Sequence, residues 1–343
     1  MLNDIFTLID FLKYISRNKI KRVFFFENSF TENHLAPYVD KNKNIHETLI
    51  VSLYKIQNDS LKKFKIFYFE KLFFLNLFLL LLKIKYCYSS TPDLDNSAFQ
   101  RSVFKQTKYI YIQHSPLGLN RIYRNNAFTN FDVVQVVNSF QKNDLNNISK
   151  IKNKKIKAWR GKYLFLSDEN NKQPRFNIDK QEKKKILIAP TWGTDFFDSN
   201  IHLIIKKKLN PSKYDIFIRP HNMSILKNKN LNNHLIENKF QISDGKINFT
   251  QFDLLITDWS GIYIEFAKIN KVKSILIENK EKILNNKFIE FKNGSIDSFA
   301  RNKLGKVIKM ADLNSIEYEV DDILQNQNNY KNEINNFFEK YFY

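Results

Sequence analysis

The 343-residue chain has one cysteine, Cys87, and only seven glycines and seven prolines. One cysteine cannot close an internal disulfide, which excludes a disulfide-stapled secreted module and favours a reducing compartment. So little glycine and proline excludes collagen-like and low-complexity classes. There is no Gly-x4-Gly-Lys, no Gly-x-Gly-x-x-Gly and no Cys/His pair at zinc spacing, so a P-loop NTPase, a dinucleotide oxidoreductase and a zinc enzyme lack their signatures. Long apolar runs are scarce too. The most apolar segment, LFFLNLFLLLL at 72–82, is bounded by Lys71 and Lys83 and is far shorter than the roughly twenty residues a bilayer crossing needs. It reads as a helix buried against a sheet or, alternatively, as a helix lying in a membrane interface beside its lysines. The N-terminal stretch has acids at Asp4 and Asp10 and no small-residue cleavage site, so it does not read as a secretory signal. The expectation is a cytoplasmic protein.

What is present is apolar mass and positive charge. With 43% hydrophobic and 15% aromatic residues the chain can fill two sizeable cores, so a disordered tail is excluded. Lys+Arg 55 against Asp+Glu 35 gives a net charge of +20, which attracts nucleic acid, acidic lipid headgroups or phosphate-bearing substrates alike. The abundance of Lys, Asn, Ile and Phe is also what an A+T-rich genome produces. The charge gathers between Lys150 and Lys162, whereas the C-terminal part is acidic and helical after an expected last strand at Ser274–Ile277.

Short β-branched and aromatic runs alternate with stretches of helical spacing, the pattern of βαβ units around parallel sheets. The first half has strand candidates at Val23–Phe26, Leu49–Leu53, Ile84–Tyr88, Tyr109–Gln113 and Val133–Val137. A second set follows at Ile186–Pro190, Ile216–Arg219, Leu254–Thr257 and Ser274–Ile277. Between the sets, residues 167–185 are polar and aperiodic, a linker candidate. The expected organisation is a first domain over 1–166, a linker over 167–185 and a second domain over 186–343 that includes the C-terminal helices.

Four segments place polar residues at the carboxyl end of an expected strand, where open α/β sheets bind ligands. In YIYIQHSPLGLNRIY, Gln113 and His114 lead into a loop with Ser115 and then Arg121. A histidine there can take a proton from an attacking hydroxyl, or merely bond the loop backbone. In ILIAPTWGTDF, Thr191 offers a hydroxyl and Trp192 a pocket wall; read plainly, it is a strand and a turn. In YDIFIRPHN, Arg219 supplies a planar fork suited to phosphate and His221 follows the rigid Pro220. Two such residues at one strand exit are hard to explain as packing. In FDLLITDWSGIYIEFA, Thr257, Asp258, Ser260 and Gly261 precede a helix whose free N–H groups suit an anion, and Asp258 or Ser260 equally suits an N-cap. Asp93 and Asp95, in TPDLDN, read as a turn and cap rather than a metal pair.

In order and spacing, QHSPLGLNR, IAPTWG, IRPHN and TDWSG resemble the motifs of the CDP-glycerol glycerophosphotransferase family, the teichoic-acid and capsule polymer enzymes. STPDLDN and residues 124–132 are similar to its capsule branch, and the resemblance spans about residues 84–280. It implies an α/β, GT-B-like fold, two Rossmann-like domains with parallel sheets facing a central cleft, the nucleotide donor held mainly by the second. It implies transfer of glycerol phosphate, or a related polyol phosphate, from a CDP-linked donor to a hydroxyl of a lipid-linked polymer acceptor, with release of CMP. By the same resemblance His114 stands at the catalytic base, Arg219 and His221 at the donor phosphates, and Thr257, Asp258 and Ser260 in a phosphate-binding turn. Thr191, Trp192 and Gly261 complete the expected donor side, and Gln113, Ser115 and Arg121 the acceptor side; His221 is expected to assist catalysis as well. No cofactor or tightly held metal is expected, because cationic groups and a helix dipole can supply the charge. Two positions depart from the family pattern: Gly261 replaces a second serine, and Gly193 replaces a basic residue, which leaves the transferred group open. The alternative within the fold is a nucleotide-sugar glycosyltransferase; an inactive scaffold of the same fold is a further one. From another class, a basic nucleic-acid-binding protein would fit the charge, but no recognition motif accompanies it and no nucleic-acid partner is expected. An anionic membrane surface is, which would place the protein peripherally on the inner face of the cell membrane.

Overall fold

The computed structural model describes residues 2–41, 44–80, 84–95, 100–101, 106–166, 183–243, 247–289, 291–292 and 294–343. The first seven strands form one sheet: β1 (Arg22–Phe26), β2 (Thr48–Ser52), β3 (Lys65–Tyr68), β4 (Tyr86–Ser89), β5 (Lys108–Tyr111), β6 (Val133–Val136) and β7 (Lys157–Arg160). Their spatial order is β3-β2-β1-β4-β5-β6-β7. A second sheet holds β8 (Lys184–Ile188), β9 (Tyr214–Ile218), β10 (Gln241–Ile242), β11 (Leu254–Thr257), β12 (Ser274–Glu278) and β13 (Gly305–Lys309), in the order β10-β9-β8-β11-β12-β13. All paired strands are parallel. Each sheet grows outward from its first strand and then restarts on that strand's other side. The order therefore reverses at β1/β4 and again at β8/β11, and ligand crevices open at the carboxyl ends of strands at such points. Two Rossmann-like domains of this kind make the GT-B architecture.

The helices are α1 (Leu2–Arg17), α2 (Ser29–Asp40), α3 (Leu72–Leu80), α4 (Ser139–Ile151), α5 (Ile201–Lys208), α6 (Asn222–Lys227), α7 (Leu231–Glu237), α8 (Ile262–Asn270), α9 (Ile296–Leu304), α10 (Ile316–Gln325) and α11 (Gln327–Tyr341). A parallel sheet covered on both sides needs apolar side chains on both faces, and β1 supplies them by alternation. Val23 and Phe25 join a core with Leu49, Val51, Tyr109 and Tyr111, while Phe24 and Phe26 join another with Leu35, Ile50 and Ile112. Cys87 is buried in β4, and burial pushes its thiol up to about 12, so it is an inert core group.

The nine expected strands all form, with ends shifted by at most two residues. Four more exist. β3 and β7 are edge strands that each open on a lysine and are largely exposed, and β10 is two residues long. β13 corrects the expectation that Ser274–Ile277 is the last strand: its sequence, GKVIK, has only two consecutive buried or half-buried positions, Val307 and Ile308. Residues 167–182 of the expected linker lie outside the described residues, and Lys184 and Lys185 belong to β8. The 72–82 segment forms α3 over its described part. Leu75 and Leu79 are buried, but Leu72, Phe73 and Leu77 face outward, so neither a buried nor a surface helix describes it alone. Asp93 and Asp95 both adopt left-handed backbone (φ 64° and 68°), as a turn requires.

The domains touch through several polar contacts. Gly118 N–H donates to Asp297 (3.1 Å), Asn285 Nδ2 to the Asn120 carbonyl (2.7 Å) and the Tyr163 hydroxyl to Glu265 (2.8 Å). The C-terminal end of the chain crosses back to the first domain, where Tyr343 N–H donates to the Val137 carbonyl (3.0 Å) and the Arg160 guanidinium lies 5.5 Å from the Tyr343 ring centre.

Candidate active site

His114 follows β5 in the loop beside the first crevice. Its Nδ1 lies 2.9 Å from the Ser90 carbonyl and 2.7 Å from the Tyr111 hydroxyl. A carbonyl only accepts, so the neutral ring carries its proton on Nδ1 and leaves the Nε2 lone pair open. Nε2 is 3.5 Å from the Tyr123 hydroxyl. The rings of Phe30, His34, Tyr111 and Tyr123 stand around the imidazole with centroids 5.5 to 6.1 Å away. Burial among them pushes the His114 pKa down to about 4 against the help of the Ser90 bond, with Lys282 adding to the shift. The ring is therefore neutral near pH 7, the form a proton acceptor needs.

The second crevice is built from loops after β8, β9 and β11. Asp258 is fully buried; its carboxylate accepts from Thr191 N–H (2.8 Å) and the Thr194 hydroxyl (2.7 Å), and so ties the β8 and β11 loops together where the strand order reverses. Thr257 is likewise buried and donates to the Ala189 carbonyl (2.6 Å). These two residues, expected in a phosphate-binding turn, brace the crevice from behind. A fixed carboxylate and a bonded hydroxyl are poor phosphate ligands.

Arg219 emerges from β9, its N–H bonded to the Ile188 carbonyl (2.8 Å). His221 caps α6 by accepting from Met223 N–H at Nδ1 (3.1 Å), which leaves its proton on Nε2 as a donor. Its pKa falls to about 4, first through burial and then through the charges of Lys282 and Arg219 and the ring of His114. That last influence puts the His114 loop of the first domain and the basic strand exit of the second within electrostatic reach. Trp192 lies beside them, its ring centroid 6.2 Å from His221. Gly193 is left-handed, with φ +79° and open space where a side chain would begin.

Gly261 is the N-cap of α8, and the Ser260 hydroxyl makes only a long contact (3.5 Å) with Ile262 N–H. The start of α8 thus keeps N–H groups free of side-chain caps. A Cβ on Gly261 would fall 2.9 Å from Leu117 Cγ and 3.2 Å from the Ser115 hydroxyl, so glycine here lets the two domains' loops close on one another.

On the expected acceptor side, Ser115 lies at that contact. Gln113 is fully buried, and neither its Oε1 nor its Nε2 has a hydrogen-bond partner among the described residues. Arg121 is also buried; it pairs with Glu281 and lies 4.9 Å from the Trp259 ring centre, with Arg301 at 4.0 Å. It is thus built into the domain contact. Lys282 escaped the sequence reading because the loop after β12 carries no motif. Its Nζ lies 3.2 Å from the Thr191 hydroxyl and 4.3 Å from the Trp192 ring centre. Among the described residues, no group of three or more His, Cys, Asp or Glu side chains is placed to hold a metal ion.

The solved structures that resemble this one include two of the wall teichoic acid polymerase TagF soaked with CDPG. They have TM-scores of 0.57 and 0.58 and identities of 12% and 14%, with 99% of this chain and 93% of that chain covered in each case. The S. aureus MnaA–UDP structure has a TM-score of 0.55 at 13% identity, covering 92% of this chain and 91% of that one. At such identities these likenesses establish the fold. No curated protein sequence matches at a significant level. The family model for CDP-glycerol:poly(glycerophosphate) glycerophosphotransferases matches residues 130–343, which include the strand exits of Thr191, Arg219 and Ser260. The chain belongs to this family of transferases.

Proposed function

We propose that the protein transfers glycerol phosphate, or a related polyol phosphate, from a CDP-linked donor to a hydroxyl of a lipid-linked polymer and releases CMP. The observation that carries this is the pairing of a neutral histidine, Nε2 open, with a basic strand exit close enough to influence its neighbours. Arg219 and the His221 Nε2–H hold the diphosphate, joined by the uncapped N–H groups at the start of α8. The acceptor oxygen attacks the phosphorus that bears glycerol, and His114 Nε2 takes the hydroxyl proton. The bond from that phosphorus to the bridging oxygen breaks, and CMP leaves with the electron pair. The buried amide of Gln113 and the Ser115 hydroxyl are the groups beside His114 suited to orient the acceptor. In the test, purified protein is incubated separately with CDP-glycerol, CDP-ribitol, and UDP- and GDP-sugars. CMP from a CDP-polyol alone is the expected result, whereas UDP or GDP release would assign a nucleotide-sugar donor.

The lipid-linked acceptor implies a membrane surface, and one face of the first domain suits it. α1 and α3 pack together and expose Phe6, Ile9, Leu12, Leu72, Phe73 and Leu77, with Lys13, Arg17 and Lys71 exposed on the same two helices and the residue before α3. No helix among the described residues is long and apolar enough to cross a membrane. Apolar groups enter the interface while each lysine near an anionic surface contributes about 1 kcal/mol. We therefore infer a peripheral enzyme on the inner face of the membrane. Its binding to anionic vesicles should exceed that to neutral ones and weaken at high salt. Equal binding to both would assign it to the apolar face alone.

A further inference from the structure

Lys282 presents a physical problem that no motif addresses. It is partly buried and has no ion-pair partner among the described residues. A cation removed from water without a counter-charge is costly. The Thr191 hydroxyl at 3.2 Å and the Trp192 face at 4.3 Å offset only part of that cost. The nearest acid by influence, Asp258, is committed to Thr191 N–H and the Thr194 hydroxyl. Lys227 reaches the same Trp192 ring at 5.0 Å, and Arg219 and Lys282 both act on His221. Positive charge thus converges at the β8 and β9 exits, and among the described residues Lys282 has no ion-pair partner within it.

The lysine is held there from both sides. Lys280 N–H donates to Asp195 (3.1 Å). Glu281 pairs with Arg121, and the Arg121 carbonyl accepts from Leu284 N–H (3.0 Å) and Asn285 N–H (3.2 Å). Asn285 Nδ2 also reaches the Asn120 carbonyl (2.7 Å). The 280–285 loop belongs to the second domain but is gripped by the first, so the domain contact itself delivers the ammonium to Thr191 and Trp192.

We propose that Lys282 is a direct ligand of the donor's diphosphate, a cation supplied from the interdomain loop rather than from the strand-exit motifs. The placement also answers the departure at Gly193, whose left-handed backbone and open space leave no side chain in that turn. Arg121, grouped with the acceptor side by its sequence position, then works as a positioning residue for the donor side. The proposal rests on a nucleotide diphosphate donor, and its test keeps the two apart.

Burial, opposed by Asp258 and assisted by Lys227, lowers the Lys282 pKa to about 8. The remaining charged or titratable groups around it are Arg219, which acts with it on His221, and His114 and His221 themselves; both histidines are held near 4, so neither changes charge between neutral and alkaline pH. Phosphate binds the protonated lysine, so donor affinity should fall as pH rises through about 8, by up to about tenfold per pH unit.

The experiment is calorimetric titration of CDP-glycerol, and in parallel UDP-N-acetylglucosamine, into wild type, Lys282→Met and Lys282→Arg, near neutral pH and near pH 9.5, with melting temperatures as a check on folding. For whichever donor the wild type takes, Lys282→Met should bind roughly ten to a hundredfold more weakly near neutral pH, while Lys282→Arg stays close to wild type. At alkaline pH the wild type should lose affinity and the arginine variant keep it. Preference for the UDP-sugar would overturn the CDP-polyol reading and leave the lysine judged on the same ratios. A well-folded Lys282→Met that binds as tightly as wild type, or an arginine variant with the same alkaline loss, would overturn the proposal.

Discussion

The two sides of the cleft are built from different materials. Around His114 the first domain supplies aromatic rings and neutral hydroxyls, whereas around Trp192 the second supplies Arg219, Lys227, Lys282 and His221. A ring in apolar surroundings stays unprotonated and can accept a proton; a cluster of cations attracts phosphates and stabilises a departing nucleotide. The two sides are compatible, since a cation of the second domain, Lys282, adds to the lowering that keeps His114 neutral.

Breaking the first side should have the largest effect. His114→Ala is expected to lower kcat by about a hundredfold to ten-thousandfold, the usual range for a lost general base; release of CMP from CDP-glycerol at saturating donor measures it. Next come Arg219→Ala and His221→Ala on the second side. Each should weaken donor binding by about 1.5–3 kcal/mol, the worth of a charge-assisted hydrogen bond, read from the donor's apparent Kd. Wild-type affinity in both would remove them from the phosphate site.

Acid pH sharpens the comparison further. Burial lowers the pKa of His114 and of His221 to about 4, so the acid limb of the rate profile should lie well below the ordinary histidine value near 6.5. The same lowering affects stability. A histidine held neutral in the fold stabilises it fully above its unfolded pKa, and that contribution is lost as pH falls through the folded value. Buried His34 and His202 share this direction, so the melting temperature should drop as pH falls from about 6.5 towards about 4. An acid limb or a stability loss centred above pH 6.5 would contradict the environments described here.

The smallest effect belongs to the join. Gly261→Ser would bring a Cβ to 2.9 Å from Leu117 Cγ, and relieving such overpacking costs about 1–3 kcal/mol. A lowered melting temperature with modest change in donor affinity is expected.

Much of this was legible in the sequence because parallel strands buried on both faces are short apolar runs, and because His114, Arg219, His221 and Ser260 each lie within three residues of the end of one. Strand ends are read locally. The edge strands β3 and β7 were not legible, since a half-exposed strand such as KAWR carries no apolar run. Thr257 and Asp258 were expected on the donor side, and position alone does not say which way a side chain turns; their side chains bond inward to Ala189, Thr191 and Thr194. Lys282 was invisible for a third reason. Its place depends on Arg121, 161 residues earlier, gripping the loop that carries it.

The central claim is that proton removal and phosphate binding reside on opposite sides of the cleft. Its most direct test is a matched pair of calorimetric titrations of CDP-glycerol into His114→Ala and Arg219→Ala. The account expects His114→Ala to bind the donor as wild type does while releasing almost no CMP, and Arg219→Ala to bind it at least tenfold more weakly. Donor affinity lost with His114 and kept without Arg219 would contradict it.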